Sequence, residues 1–181
     1  KLTVNEIRFF VNRREIPKTK ENLQFLQYAS SVSITFIDQK NGQRYATITQ
    51  HASVREICPV KSWAAIVERV LSYEETGPDT EVDVYDNDDG VLRHVRAHDI
   101  ATHLKAAVSW IGKATLGFDS TRVGTHSIRT SFAMLLFLQH VHPSTIMLQG
   151  RWSSDAFLLY VRPQVQQFSS GLSAKMVKED F

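Results

Sequence analysis

A chain of 181 residues can bury one real core. With 43% hydrophobic and 22% charged residues, one cysteine and no low-complexity tract, it excludes a disulfide scaffold, a disordered polymer and a spanning helix of about 20 apolar residues. The formal charge of +2 hides an asymmetry: residues 74–90, EETGPDTEVDVYDNDDG, hold eight acids and no base, leaving 21 Lys and Arg against 11 acids elsewhere. A basic body with one acidic stretch suits an anionic partner such as DNA, and the acidic stretch is expected to be a surface loop turned away from it. No secretory signal opens the chain, and it begins at Lys1 rather than Met, so a piece of a longer intracellular protein is expected. In a eukaryotic host it would act in the nucleus.

In chain order, LTVNEIRFFV suits a strand, and NRREIPKTK suits a turn. SVSITFI (Ser31 to Ile37) and QRYATIT (Gln43 to Thr49) are rich in β-branched and aromatic residues, and Asn41-Gly42 between them signals a hairpin. From Pro59 the period changes: Val60, Trp63, Ala64, Val67 and Leu71 recur at helical spacing. VDVYD follows as a short strand, and DGVLRHV as a second turn.

From Ala97 the chain reads as helix. Ile100, Leu104, Ala107, Val108 and Ile111 form one face, with Gly117 as the stop. A helix is expected from the N-cap Thr125, carrying Ile128, Phe132, Leu135, Leu136 and Leu138, and another from Pro143 through Leu148. Ser153 or Ser154 caps a further helix bearing Phe157, Leu158 and Tyr160, which Pro163 interrupts. Val165, Phe168, Leu172 and Met176 then line a last amphipathic segment. The expectation is a mostly helical α+β domain spanning residues 1–181, with a small antiparallel sheet near the N-terminus.

His126 and Arg129 lie three apart, so they share a helix face. Both are expected in the first turn, where free N–H groups and the dipole favour an anion. An arginine fork matches phosphate oxygens, and a histidine can donate to a third. The indole of Trp152 is a donor only, suited to an oxygen gaining negative charge. Tyr160, eight residues on, is a phenol that can attack a phosphodiester held among cations. Taken singly, each has a plainer reading: a chance spacing, a core plug, a surface tyrosine.

Their order together, GTHSIRTSFAM and then TIMLQGRWSSDAFLLYVRPQVQQFS, resembles the catalytic half of the tyrosine recombinase (phage integrase) family. The text looks most like the Crypton-type integrases of eukaryotic mobile elements. The resemblance implies site-specific DNA cleavage and rejoining, with Tyr160 becoming joined to a 3′ phosphate. It implies that Arg129, His126 and Trp152 hold the phosphate oxygens as charge builds. A hairpin lysine would protonate the departing oxygen, and Lys40, beside Asn41-Gly42, is the candidate. Arg44 and Arg151 are the candidate DNA contacts. The partners implied are double-stranded DNA and further copies, assembled as a tetramer through the C-terminal segment, with no membrane and no small-molecule cofactor. No metal is implied, because the cationic side chains take the place of Mg²⁺.

Three features depart from the family pattern. Its further arginine, in an Arg-x-x-Glu segment before the first strand, would precede Lys1, and Arg8 is a poor substitute. Arg151 stands between Gly150 and Trp152, and the interval from Trp152 to Tyr160 is one shorter than the usual spacing of about nine. They favour a relative that binds DNA without cutting it as one rival reading. A topoisomerase-like relaxing enzyme and a helical interaction module using Val165, Phe168, Leu172 and Met176 are two more. His94, His98, His103, His140 and His142 raise a zinc site, but no cysteine or clustered carboxylate in the sequence completes a set around them.

Overall fold

The structure is a computed structural model that describes residues 1–38, 42, 44–55, 57–152 and 158. It is α+β, with a small antiparallel sheet early in the chain. The chain divides into two compact units, Lys1–Val95 and Arg96–Phe181. No helix among the described residues is long and apolar enough to cross a membrane.

In the first unit β1 (Ile7–Val11), β2 (Arg14–Ile16), β3 (Ser31–Asp38) and β4 (Arg44–His51) form one antiparallel sheet in the order β2-β1-β3-β4. β1 begins later than its sequence suggests, because Val4–Glu6 tightens into a 3₁₀ turn in which Glu6 accepts the Thr3 N–H at 2.6 Å. The expected turn at NRREIPKTK is a hairpin: Val11 pairs with Arg14, and Asn12 and Arg13 both take positive φ, 48° and 67°. Two left-handed residues give the mirror-image turn whose twist matches that of the strands.

The alternation of β3 is plain chemistry. Val32 and Ile34 are buried against β1, while Ser33 and Thr35 hydrogen-bond to Thr49 and Thr47 of β4 at 2.8 and 3.0 Å. α1 (Pro59–Ser72) closes this core with Val60, Ala64, Val67 and Val70, and Trp63 and Leu71 pack at its margin. A 3₁₀ helix that the sequence did not announce, Leu23–Tyr28, adds buried Leu26. β5 (Val84–Asp86) pairs with β6 (Leu92–His94), a strand where a turn was expected. The acidic stretch is thus partly strand, anchored by buried Val84.

The second unit holds α2 (Ala97–Ile111), α3 (Lys113–Leu116), α4 (Thr125–Leu138) and α5 (Pro143–Gly150). The helix expected to run to Gly117 breaks first at Gly112, whose φ of 89° is not helical; Gly117, at 76°, ends α3. Buried Ala133 of α4 and Ile146 of α5 centre a small cluster with Leu136, Phe137, Val141, Met147 and Trp152.

Candidate functional site

Local backbone chemistry places each residue of this site. α4 starts one residue earlier than read: Gly124 is the N-cap, and its N–H donates to Ser127 Oγ at 3.1 Å. His126 therefore sits exposed in the first turn, while Arg129, the fifth helical residue, opens the second turn and is half-buried. The expectation that both lie in the first turn holds for His126 alone.

α4 and α5 end in the same way. After α4, the Val141 N–H donates to Leu136 O at 3.0 Å and the His140 N–H to Phe137 O at 3.0 Å, with His140 at φ 58°. After α5, the Trp152 N–H donates to Met147 O at 2.9 Å and the Arg151 N–H to Leu148 O at 3.2 Å, with Arg151 at φ 54°. This paired closure satisfies the last carbonyls and reverses the chain, and Met147 and Trp152 both pack against the Ala133–Ile146 cluster. The reversal is what lays the indole back over the end of α5.

Two consequences meet there. The carbonyl of Gly150, left without a helical partner, accepts a hydrogen bond from Arg129 Nη2 at 2.9 Å. The Arg129 guanidinium also lies over the Trp152 ring, 4.4 Å from its centroid, and Phe132 stacks near the same ring at 6.4 Å and 25°. A cation over an indole face gains about 0.5–2 kcal/mol, more as water is excluded. Gly150 is required by space: a Cβ there would stand 1.6 Å from a carbon of the Trp152 ring.

Arg151 completes a cationic corner. Partial burial, and then the neighbouring charge of Arg129, push its guanidinium below its ordinary pKa. Two guanidiniums close enough to oppose one another raise the local positive potential, which a shared anion would relieve.

The structure brings together Arg129, Arg151 and Trp152, and places His126 a turn earlier on the same helix. Arg44, at the start of β4, is exposed and pairs with Asp38 at 3.1 Å. Lys40 and Tyr160 lie outside the described residues, as do the segment from Ser153 to Phe157 and the stretch carrying Val165, Phe168, Leu172 and Met176. Leu158 is helical. Sequence reasoning missed two contributors. Phe132, singled out only as a core residue, backs the indole, and its signal was the three-residue spacing from Arg129. Gly150 supplies both the carbonyl and the space, and its signal was a glycine one position too early to be the left-handed residue. Comparisons with family models, curated proteins and solved structures return no match to this chain.

Proposed function

We propose that this chain is the catalytic domain of a tyrosine recombinase, most like the Crypton-type integrases, and that its fold is that family's catalytic fold. The observation that carries the reading is the corner where Arg129, Arg151 and Trp152 converge, one helical turn from His126. Such a corner suits the non-bridging oxygens of a phosphodiester, whose charge grows in the transition state. Tyr160 Oη gives its proton to water as it attacks the phosphorus, the bond to the 5′ oxygen breaks, and the Lys40 ammonium gives the leaving oxygen its proton. The 3′-phosphotyrosine is then resolved by attack of a 5′ hydroxyl from another strand, which restores the phenol. Arg44 contacts the DNA backbone from the hairpin, and the assembly is a tetramer on paired DNA, in the nucleus where the host is eukaryotic.

Trapping of the covalent adduct tests this. The full-length protein is incubated with nicked duplex from its element's termini and run on denaturing gels. The wild type is expected to yield an adduct, and Tyr160→Phe none, with DNA binding retained. Arg129→Ala is expected to lose both adduct and part of the binding. An adduct persisting in folded Tyr160→Phe would remove Tyr160 as nucleophile. Binding with no adduct in the wild type would favour the non-cutting relative.

A further inference from the structure

The acidic stretch does something that its composition does not announce. Glu81 and Asp83, from the segment leading into β5, converge with His94, the last residue of β6. His94 Nδ1 lies 3.1 Å from Asp83 Oδ1 and 3.4 Å from Glu81 Oε2, and the three donor atoms all fall within 4.8 Å of one another. No completed ligand set around His94 is visible in the sequence, because the partners lie 11 and 13 residues upstream and meet it only through the fold.

That meeting is held from both sides by backbone. Val84 pairs with His94 across the β5–β6 hairpin, and the Val95 N–H donates to Asp83 O at 2.8 Å. On the other side Thr3 bridges Glu81, and the Val82 N–H donates to Leu2 O at 3.0 Å. Three chain segments therefore hold the backbone from which the three donors project.

We propose that Glu81, Asp83 and His94 form a site for a divalent first-row transition metal, with zinc as its representative. The donor spacing is the physical reason. Ligands at about 2.0–2.1 Å around a tetrahedral ion stand about 3.3 Å apart, close to the two separations measured here. One imidazole and two carboxylates suit such a borderline cation better than calcium, which takes six or more oxygens. Water fills the remaining coordination. The ion would clip the segment leading into β5 to the last residue of β6. One competitor is present: Lys1 Nζ lies 2.6 Å from the same Glu81 Oε2, and its ammonium must yield when the metal enters. The site stands on the first unit alone and is independent of the DNA reading.

Calorimetric titration of chelator-stripped, full-length protein with zinc chloride tests it. Saturable binding of one zinc per chain is expected, together with a rise in thermal midpoint, since a ligand that binds only the folded state stabilises it. His94→Ala and Asp83→Asn, checked for folding by circular dichroism, should each bind roughly tenfold or more weakly and lose the midpoint shift; loss of even an outer-shell partner costs 10- to 100-fold. A double variant, His98→Ala with His103→Ala, should bind as the wild type does. Lys1→Ala should bind more tightly. No saturable binding, or binding unchanged in both His94→Ala and Asp83→Asn, would overturn the site and leave these groups as a surface ion-pair cluster. Loss of binding in the double histidine variant would move it elsewhere, and weaker binding by Lys1→Ala would remove Glu81 as a ligand.

Discussion

Gly150 shows how one missing methyl group can organise a site. In an open helix, glycine to alanine gains about 1 kcal/mol from backbone entropy. Here the added Cβ would meet the Trp152 ring at 1.6 Å, so the ring must leave or the helix end must shift. Overpacking of this kind costs about 1–3 kcal/mol, enough to reverse the propensity gain. Gly150→Ala is therefore expected to destabilise the protein in urea titrations, with a change in the near-ultraviolet dichroism of the displaced indole. Unchanged stability and spectrum would mean that the ring does not rest on Gly150 in solution. Arg129 yields a complementary test, because it uses shape as well as charge. Its plane lies over the indole while Nη2 reaches the Gly150 carbonyl, a geometry that a lysine ammonium does not reproduce. On the proposed chemistry, Arg129→Lys should keep most of the DNA affinity while adduct formation falls roughly 10²-fold, the scale of losing one preorganised donor. Equal losses in both would assign Arg129 to binding alone.

At the scale of elements, regular patterns were legible and exceptions to them were not. α1 announced itself through Pro59 and a stripe at helical spacing, and the β3–β4 pair through β-branched residues flanking Asn41-Gly42. β2 and β6 were read as turns because each follows turn residues and is only three residues long, defined by its partner, whereas the equally short β5 showed through the alternation of VDVYD. The break at Gly112 was missed because a helical glycine and a terminating one read alike until φ is known. The site was legible as a list of residues but not as an arrangement. His126, Arg129 and Trp152 could be picked out by order and spacing. The stacking of Arg129 on Trp152 depends on the left-handed Arg151 that ends α5, in a position where sequence rules expect glycine. The β1–β2 turn presents the same conflict in a simpler setting. Arg13 holds φ 67° at an exposed position of a turn that prefers glycine. Relief of a left-handed side chain recovers about 1 kcal/mol, partly offset by the entropy of glycine. Arg13→Gly should accordingly raise the urea midpoint modestly; a fall would show that the Arg13 side chain contributes more than its backbone costs.

For the whole molecule, the uneven charge is the property that bears on a DNA partner. The acids of the 74–90 stretch are not equivalent. Asp86 Oδ1 accepts the N–H groups of Asp89 and Gly90, at 3.2 and 3.1 Å, and Asp89 pairs with Arg93 at 2.5 Å. That pairing, with the Arg93 hydrogen bonds as its first cause, holds the Asp89 carboxyl well below the usual carboxylate range. Glu81 and Asp83 face His94. Glu74, Glu75, Asp79 and Asp88 remain for a test that leaves these local structures intact, and asparagine is the mildest replacement at Asp88 because it tolerates the φ of 63° found there. Changing the four to amides removes negative charge from a chain whose other residues are strongly basic. If DNA is the partner, the variant should bind duplex DNA more tightly than the wild type at low salt. That advantage should shrink as salt rises, because the Debye length falls to about 10 Å at 0.1 M. The slope of log affinity against log salt counts phosphate contacts, and the variant's should steepen only slightly, by well under the roughly 0.9 that one phosphate contact contributes, because none of the four acids touches DNA in this reading. A slope steeper by about 0.9 or more in the variant would mean that the acidic stretch lies at the interface and had been masking cations there. Equal affinity at every salt concentration would place the stretch too far from the DNA to influence it.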